Sequence, residues 1–173
     1  CGSGTIPIEA ALWARNIAPG IFRERFGFER WADFDDSAAS IMKEMRGYAR
    51  RNASGAMPSI MASDSDPVVL ETAKANARRA GVRISFRVAK IEDIEPDGAK
   101  RFVITNAPFD KRLSVDKDFY KRMGAAFSRL HGCRVSVFSA NPLAWKHIPA
   151  KAVESFNMKN GDLDCIFSVH DIQ

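Results

Sequence analysis

Residues 102–109 read Phe102-Val103-Ile104-Thr105-Asn106-Ala107-Pro108-Phe109, and the fold turns on this run. Three apolar residues lead into a polar Thr-Asn pair, and a proline and an aromatic ring follow almost at once. The run reads as a buried strand that ends at Asn106 and delivers an amide, a backbone corner and a ring to one place. Those three groups suit a flat molecule carrying an exocyclic amine.

Working outward, the neighbouring segments alternate between helix and strand. A glycine-rich turn, Cys1-Gly2-Ser3-Gly4-Thr5, opens a helix expected over residues 6–17, with Pro7 in its first turn where a missing N–H costs nothing. Such a turn usually follows a strand, so the chain is expected to be part of a longer protein with the first strand missing. Residues 37–52 have helical spacing (Ala38, Ile41, Met42, Met45, Ala49), and Ser59 to Ala62 is a short strand. Asp66-Pro67 starts a helix that Gly81 stops. Strands are expected over residues 83–88 and 134–139, and a helix over residues 116–130. A closing strand pair is expected at 150–158 and 163–170, turning at Lys159-Asn160-Gly161-Asp162. The pattern predicts an α/β domain spanning residues 1–173, its sheet mostly parallel with an antiparallel C-terminal edge.

Composition narrows the function classes. The chain of 173 residues is 46% hydrophobic and 27% charged, which fits an ordinary globular core rather than disorder. No apolar run is long enough to span a bilayer, so no membrane association is expected. Cys1, Cys133 and Cys165 lack metal-ligand spacing and read as free thiols of a cytoplasmic protein, and the three histidines are scattered, so no metal site is expected. A net charge of +5 permits a polyanionic partner. Cations cluster at Arg23, Arg25 and Arg30, at Arg46, Arg50 and Arg51, at Arg78 and Arg79, and at Lys111, Arg112, Lys117, Lys121 and Arg122. Around the first cluster Phe22, Phe26, Phe28, Trp31 and Phe34 interleave. Most of these rings are expected to be buried, with the arginines facing solvent or nucleic acid.

In an open parallel sheet, ligands bind beyond the carboxyl ends of the strands. Three features belong there. The Gly2-Ser3-Gly4 turn lets a ligand approach the backbone and aims helix N–H groups at an anion. Asp64 closes a strand, where a carboxylate can accept hydrogen bonds from both ribose hydroxyls. Asn106-Ala107-Pro108-Phe109 closes another. Each has a blander reading, as a tight turn, a capping aspartate or a strand-to-loop corner.

Taken together, the terminal Asn-x-Pro-aromatic resembles the amine-methylating S-adenosylmethionine enzymes. Cys1-Gly2-Ser3-Gly4-Thr5, Ile17-Ala18-Pro19-Gly20, Gly27-Phe28 before Trp31, Ser63-Asp64-Ser65-Asp66 and Asn160-Gly161-Asp162-Leu163 then fall in the order seen in one family. On these motifs the whole chain resembles the THUMP-associated ribosomal RNA guanine-N2 methyltransferases of the large-subunit type. The resemblance implies a class I methyltransferase (Rossmann-like) sheet, S-adenosylmethionine as cofactor, guanine N2 of ribosomal RNA as target, and a THUMP-type RNA-binding region upstream. It implies Asn106, Pro108 and Phe109 as catalytic residues, with Asn106 and a nearby backbone carbonyl accepting the amine's N–H groups and Phe109 stacking on a flipped base. It implies Gly2, Ser3, Gly4, Thr5, Asp64, Ser65 and Ile91 as cofactor contacts. Three positions depart from the pattern. Phe109 stands for a tyrosine, keeping the ring and losing a hydroxyl. Ala107 replaces a proline, which is expected to loosen the corner. Lys90 stands where an acid usually meets the adenine amine, with Glu92 or Asp93 as the nearest substitutes. An adenine-N6 methyltransferase and a non-catalytic RNA-binding remnant are the other readings. Oligomeric state is left open.

Overall fold

The computed structural model describes residues 1–108 and 118–173, so Phe109, Lys111, Arg112 and Lys117 lie outside the described residues. The chain forms two compact units interleaved along the sequence. The first comprises Cys1, Ser63–Pro67 and Val88–Gln173; the second comprises Gly2–Ala62 and Val68–Arg87. No described helix is long and apolar enough to cross a membrane.

In the second unit, α1 (Thr5–Ala14) is shorter than its apolar spacing suggests, because Asn16 turns to φ 50° and ends it. An irregular segment with a short 3₁₀ turn leads to α2 (Asp36–Arg51), whose N-cap Asp35 accepts a hydrogen bond from the N–H of Ala38 at 2.8 Å. Most of α3 (Pro67–Arg79) follows. Ile8, Ala11, Ala77 and Val82 form the core of this unit, with Leu12, Ile60, Ile84 and Phe86 packed on it. Strands β1 (Met61–Asp64) and β2 (Ser85–Val88) pair with each other. The Ser85 N–H donates to the Ile60 carbonyl and the Ala89 N–H to that of Asp64, so the two strands advance in the same direction.

The first unit is built on a four-stranded sheet in the order β3 (Phe102–Asn106), β4 (Arg134–Ser139), β6 (Leu163–Asp171), β5 (Ala152–Asn160). β3 and β4 are parallel, whereas β6 runs antiparallel to both β4 and β5, giving the expected antiparallel edge. Gly161, at φ 60°, opens the two-residue turn between Asn160 and Leu163. Helix α4 (Phe119–Phe127) covers one face through Tyr120, Met123 and Phe127, which pack with Val135, Val137 and Ile172. Full burial of Met123 or Phe127 contributes roughly 1.5–3 kcal/mol each. A short α5 (Leu143–Lys146) adds Ala144 to this core. It lacks a helical apolar repeat long enough to be seen in sequence.

Among the described residues the strands pair as one two-stranded and one four-stranded sheet, with the parallel and antiparallel pairs expected of the mixed α/β class. One expectation is corrected here: among the described residues β3 pairs on one side only, Phe102 is 78% exposed and Ile104 45%, and the strand that read as buried is an edge.

Candidate functional site

The rim of the first unit gathers the residues at the carboxyl ends of its strands. Asn106 is the last residue of β3, opposite Phe138, and its side chain is exposed with no hydrogen-bond partner among the described residues. The next residue turns inward: Ala107 is 1% exposed, and its N–H donates to the Phe138 carbonyl at 3.0 Å. A proline at 107 has no N–H to give. The corner is therefore fixed by a ladder hydrogen bond and burial, correcting the expectation that alanine loosens it. The Ala107 carbonyl accepts no hydrogen bond among the described residues. That of Pro108 takes the hydroxyl of Tyr120 at 2.6 Å. Tyr120 is buried, and desolvation raises its phenol above the ordinary value, against an opposing hydrogen bond from Asn141. It thus stays a donor. Tyr120 was missed in the sequence because an aromatic on a helical apolar face reads as packing alone.

Asp64 ends β1 in a defined orientation. The Cys1 main-chain nitrogen donates to its Oδ2 at 2.9 Å and to the Ser63 carbonyl at 2.7 Å, while the Asp66 N–H donates to Oδ1 at 3.1 Å. Main-chain donors thus orient both carboxylate oxygens. Ser65 is exposed beside it. Lys90 follows Ala89, whose N–H is bonded to the Asp64 carbonyl, and it caps the 3₁₀ turn Ile91–Asp93. Ile91 packs partly buried against the core of this unit. Neither proposed substitute for the missing acid is idle. Glu92 pairs with Arg122 at 3.0 Å, and Asp93 accepts the Lys90 N–H at 2.8 Å.

In the second unit the glycine turn is shaped by close packing. Gly4 sits at φ 86°, and a Cβ there would come within 3.1 Å of the Ala73 Cβ and 3.2 Å of the Ile8 Cδ1. Only glycine fits both constraints. The Asn76 amide donates to the Ser3 carbonyl at 3.0 Å and holds the turn, a partner that sequence reading did not find. No side chain caps α1, so its first N–H groups can face a ligand.

The basic clusters resolve into two kinds. Arg23, Arg25, Arg30, Arg50 and Arg51 are exposed. Arg46, by contrast, is a staple: its guanidinium donates to the carbonyls of Arg23 and Glu24, pairs with Glu29 at 3.1 Å and lies 5.3 Å from the Phe26 ring centroid. Lys121 pairs with Asp118 and Arg122 with Glu92, so the described cations of the last cluster are neutralised. Most of the aromatic rings are not buried as expected. Phe26 stacks on Phe28 with centroids 5.5 Å apart, yet Phe22 is 63% exposed and Trp31 66%. The rings shield one another rather than joining a core.

A cavity of about 520 Å³ lies elsewhere in the first unit, lined by Trp145, Ile148, Ser168 and His170 among others, and contains none of the expected site residues. His170 is bonded to the Ala150 carbonyl and the Ser168 hydroxyl, both at 2.9 Å, which accounts for its burial. Among the described residues no group of three or more His, Cys, Asp or Glu could hold a metal ion.

Residues 1–168 match the family described as UPF0020, RMKL-like, methyltransferase domain. Among solved structures, the chain is similar to SMU.472, described as "a putative methyltransferase complexed with SAH", at 28% identity and a TM-score of 0.87, covering all of this chain and 46% of that one. It is similar at 31% identity and a TM-score of 0.87 to "a possible methylase from Clostridium difficile 630", again covering 46% of that chain. A predicted N6-adenine-specific DNA methylase from Listeria monocytogenes aligns at 30% identity and a TM-score of 0.82, covering 98% of this chain and 44% of that one. The chain thus spans about half the length of each of these proteins.

Proposed function

The chain belongs to the RMKL-like methyltransferase domain family, and we propose, on the motifs it shares with the guanine-N2 methyltransferases, that it transfers a methyl group from S-adenosylmethionine to the exocyclic N2 amine of a guanine in large-subunit ribosomal RNA. Its fold is the mixed α/β fold of class I S-adenosylmethionine methyltransferases. The observation that carries the reading is the end of β3. There an exposed Asn106 amide and the Ala107 carbonyl, neither with a hydrogen-bond partner among the described residues, stand side by side on a corner pinned by the Ala107 N–H and by Tyr120.

The amine of guanine is a poor nucleophile because its lone pair is delocalised into the ring. The Asn106 side-chain oxygen and the Ala107 carbonyl can accept its two N–H bonds, which favours a localised lone pair and fixes its direction. Asn106 is no base, so the proton lost from nitrogen after the C–N bond forms passes to water. Positioning by these two acceptors supplies most of the acceleration. The bound sulfonium supplies the methyl group together with its own leaving group.

The residues present fit that cofactor in part. The glycine turn, with Ala73 packed closely on Gly4, leads into the N-terminus of α1, whose N–H groups suit a carboxylate. Asp64 offers an oriented acceptor for ribose hydroxyls. Gly2, Ser3, Gly4, Thr5, Asp64, Ser65 and Ile91 are the contacts we propose. Lys90 carries no acceptor for an adenine amine, so affinity rests on the other contacts. Exposed Arg23, Arg25, Arg30, Arg50 and Arg51, with the open rings of Phe22 and Trp31, support an RNA partner.

Adenine N6 is the second reading, because two acceptors beside a corner suit either amine and one similar structure is a predicted adenine methylase. The test is incubation of the intact protein with methyl-labelled S-adenosylmethionine and ribosomal RNA, followed by nucleoside identification. Labelled N2-methylguanosine is expected. N6-methyladenosine would transfer the assignment to adenine, and absence of label in any nucleic acid would refute the enzyme.

A further inference from the structure

The second unit contains a cavity of about 290 Å³ between the end of α1, the chain leading into β1 and the turn after α3, lined by Ala11, Arg15, Met57, Pro58, Gly81, Val82 and Arg83. Its charge is unbalanced. Two arginines line it, no acidic residue does, and neither arginine forms an ion pair among the described residues. Arg15 Nη1 is committed to the Gly81 carbonyl at 2.7 Å, while its Nε is buried with no partner. A buried charged donor without an acceptor is costly, and such a group calls for an anion or ordered water nearby. The apolar walls of Met57 and Pro58 lower the local dielectric and strengthen any charge placed there.

The cavity is also preformed. The Ser54 N–H donates to the Arg15 carbonyl at 2.6 Å, and the Asn16 amide donates to the Asn52 carbonyl at 2.9 Å, tying the end of α1 to the segment carrying Met57 and Pro58. The Val82 N–H is bonded to the Ala77 carbonyl at 3.1 Å, which fixes the turn bearing Arg83. Rigid walls reduce the ordering cost of binding. A water takes up about 30 Å³, so the space holds several waters or one phosphate group with part of what it is attached to. The cavity lies at the amino ends of β1 and β2, whereas Asp64 lies at the carboxyl end of β1.

We propose that the Arg15–Arg83 cavity is an anion site that takes a phosphate group, either a phosphodiester of a nucleic-acid backbone or a free phosphate. It is separate from the residues assigned to methyl transfer and stands whether or not the target amine is guanine's. Planar guanidinium forks suit phosphate oxygens, and two arginines lining one space suit a doubly contacted group.

Arg83 is exposed, so Arg83→Gln is the clean variant. In one arm, the thermal midpoint of the intact protein is measured with inorganic phosphate replacing chloride at constant ionic strength. In the other, binding of a labelled single-stranded RNA of roughly a dozen nucleotides is followed by fluorescence anisotropy over a salt series. A free-phosphate site predicts a phosphate-dependent rise in midpoint that Arg83→Gln loses. A backbone site predicts RNA binding weakened roughly tenfold in the variant, with a log–log salt slope shallower by about 0.7. Arg15→Lys, which keeps the charge without the fork, should fall in the same arm. Wild type and Arg83→Gln behaving alike in both arms would overturn the proposal.

Discussion

The hydroxyl of Tyr120 donates to the carbonyl of Pro108 at 2.6 Å, joining helix α4 to the chain immediately after Asn106. The bond makes a core helix responsible for the aim of a surface amide. Tyr120→Phe keeps the buried ring and removes only that donor. Loss of one such bond costs about 1 kcal/mol. Methyl transfer should fall further, by roughly tenfold or more in kcat, with cofactor affinity unchanged, since a small displacement of a positioning group is costly. Equal losses of kcat in Tyr120→Phe and in a stability-matched core variant elsewhere would show that the bond is merely structural.

Ala107 gives the opposite lesson about the same corner. Restoring the proline that the Asn-x-Pro-aromatic pattern favours should harm this protein, because the Ala107 N–H is bonded to the Phe138 carbonyl and the side chain is 1% exposed. Ala107→Pro removes the donor and strands a carbonyl on β4, at a cost of about 1–3 kcal/mol. Chemical denaturation reads this directly. A variant as stable as wild type would mean that the corner tolerates either residue and that its rigidity has another source.

These two residues also show where the sequence was legible. The alternation of helix and strand, the Asp66-Pro67 helix start and the Gly161 hairpin follow from local chemistry, and they stand where the periodicity put them. Asn106 and Asp64 could be found because a polar residue ending an apolar run is conspicuous. Partners were not legible. Asn76 holding the Ser3 carbonyl is 73 residues away in sequence. Arg46 looked like a free cation until the carbonyls of Arg23 and Glu24 and the Phe26 ring closed around it. Nor does an apolar run say whether it has one neighbour or two, which is why β3 read as buried and is an edge.

Asn106 itself separates chemistry from stability. Its side chain is exposed and unbonded among the described residues, so Asn106→Ala should leave the unfolding free energy within about 0.5 kcal/mol. It removes one of two acceptors for the target amine and should lower methyl transfer at least about a hundredfold with cofactor affinity intact. Isothermal titration with S-adenosylmethionine beside a transfer assay distinguishes the two effects. Activity equal to wild type would remove Asn106 from the mechanism.

The sheet of the first unit should be sensitive to acid through one pair. Arg134 on β4 holds Asp171 on β6 with two bonds, Nε to Oδ1 at 2.7 Å and Nη2 to Oδ2 at 2.9 Å, between residues that face each other in the register. The guanidinium beside it holds the Asp171 carboxyl below the usual carboxylate range, and Arg101 likewise holds Asp97 down to about 2. A carboxyl with a depressed folded-state value binds its proton more readily when unfolded. The stability it contributes is therefore complete above the unfolded value, near pH 4, and is lost as pH falls through the lower folded one. Both groups are exposed, so the effect is small and screened by salt. Wild type should have a higher thermal midpoint than Asp171→Asn at neutral pH, and the gap should close as pH drops below about 4. A gap that does not change with pH would mean that the pair contributes through packing and not through its charge.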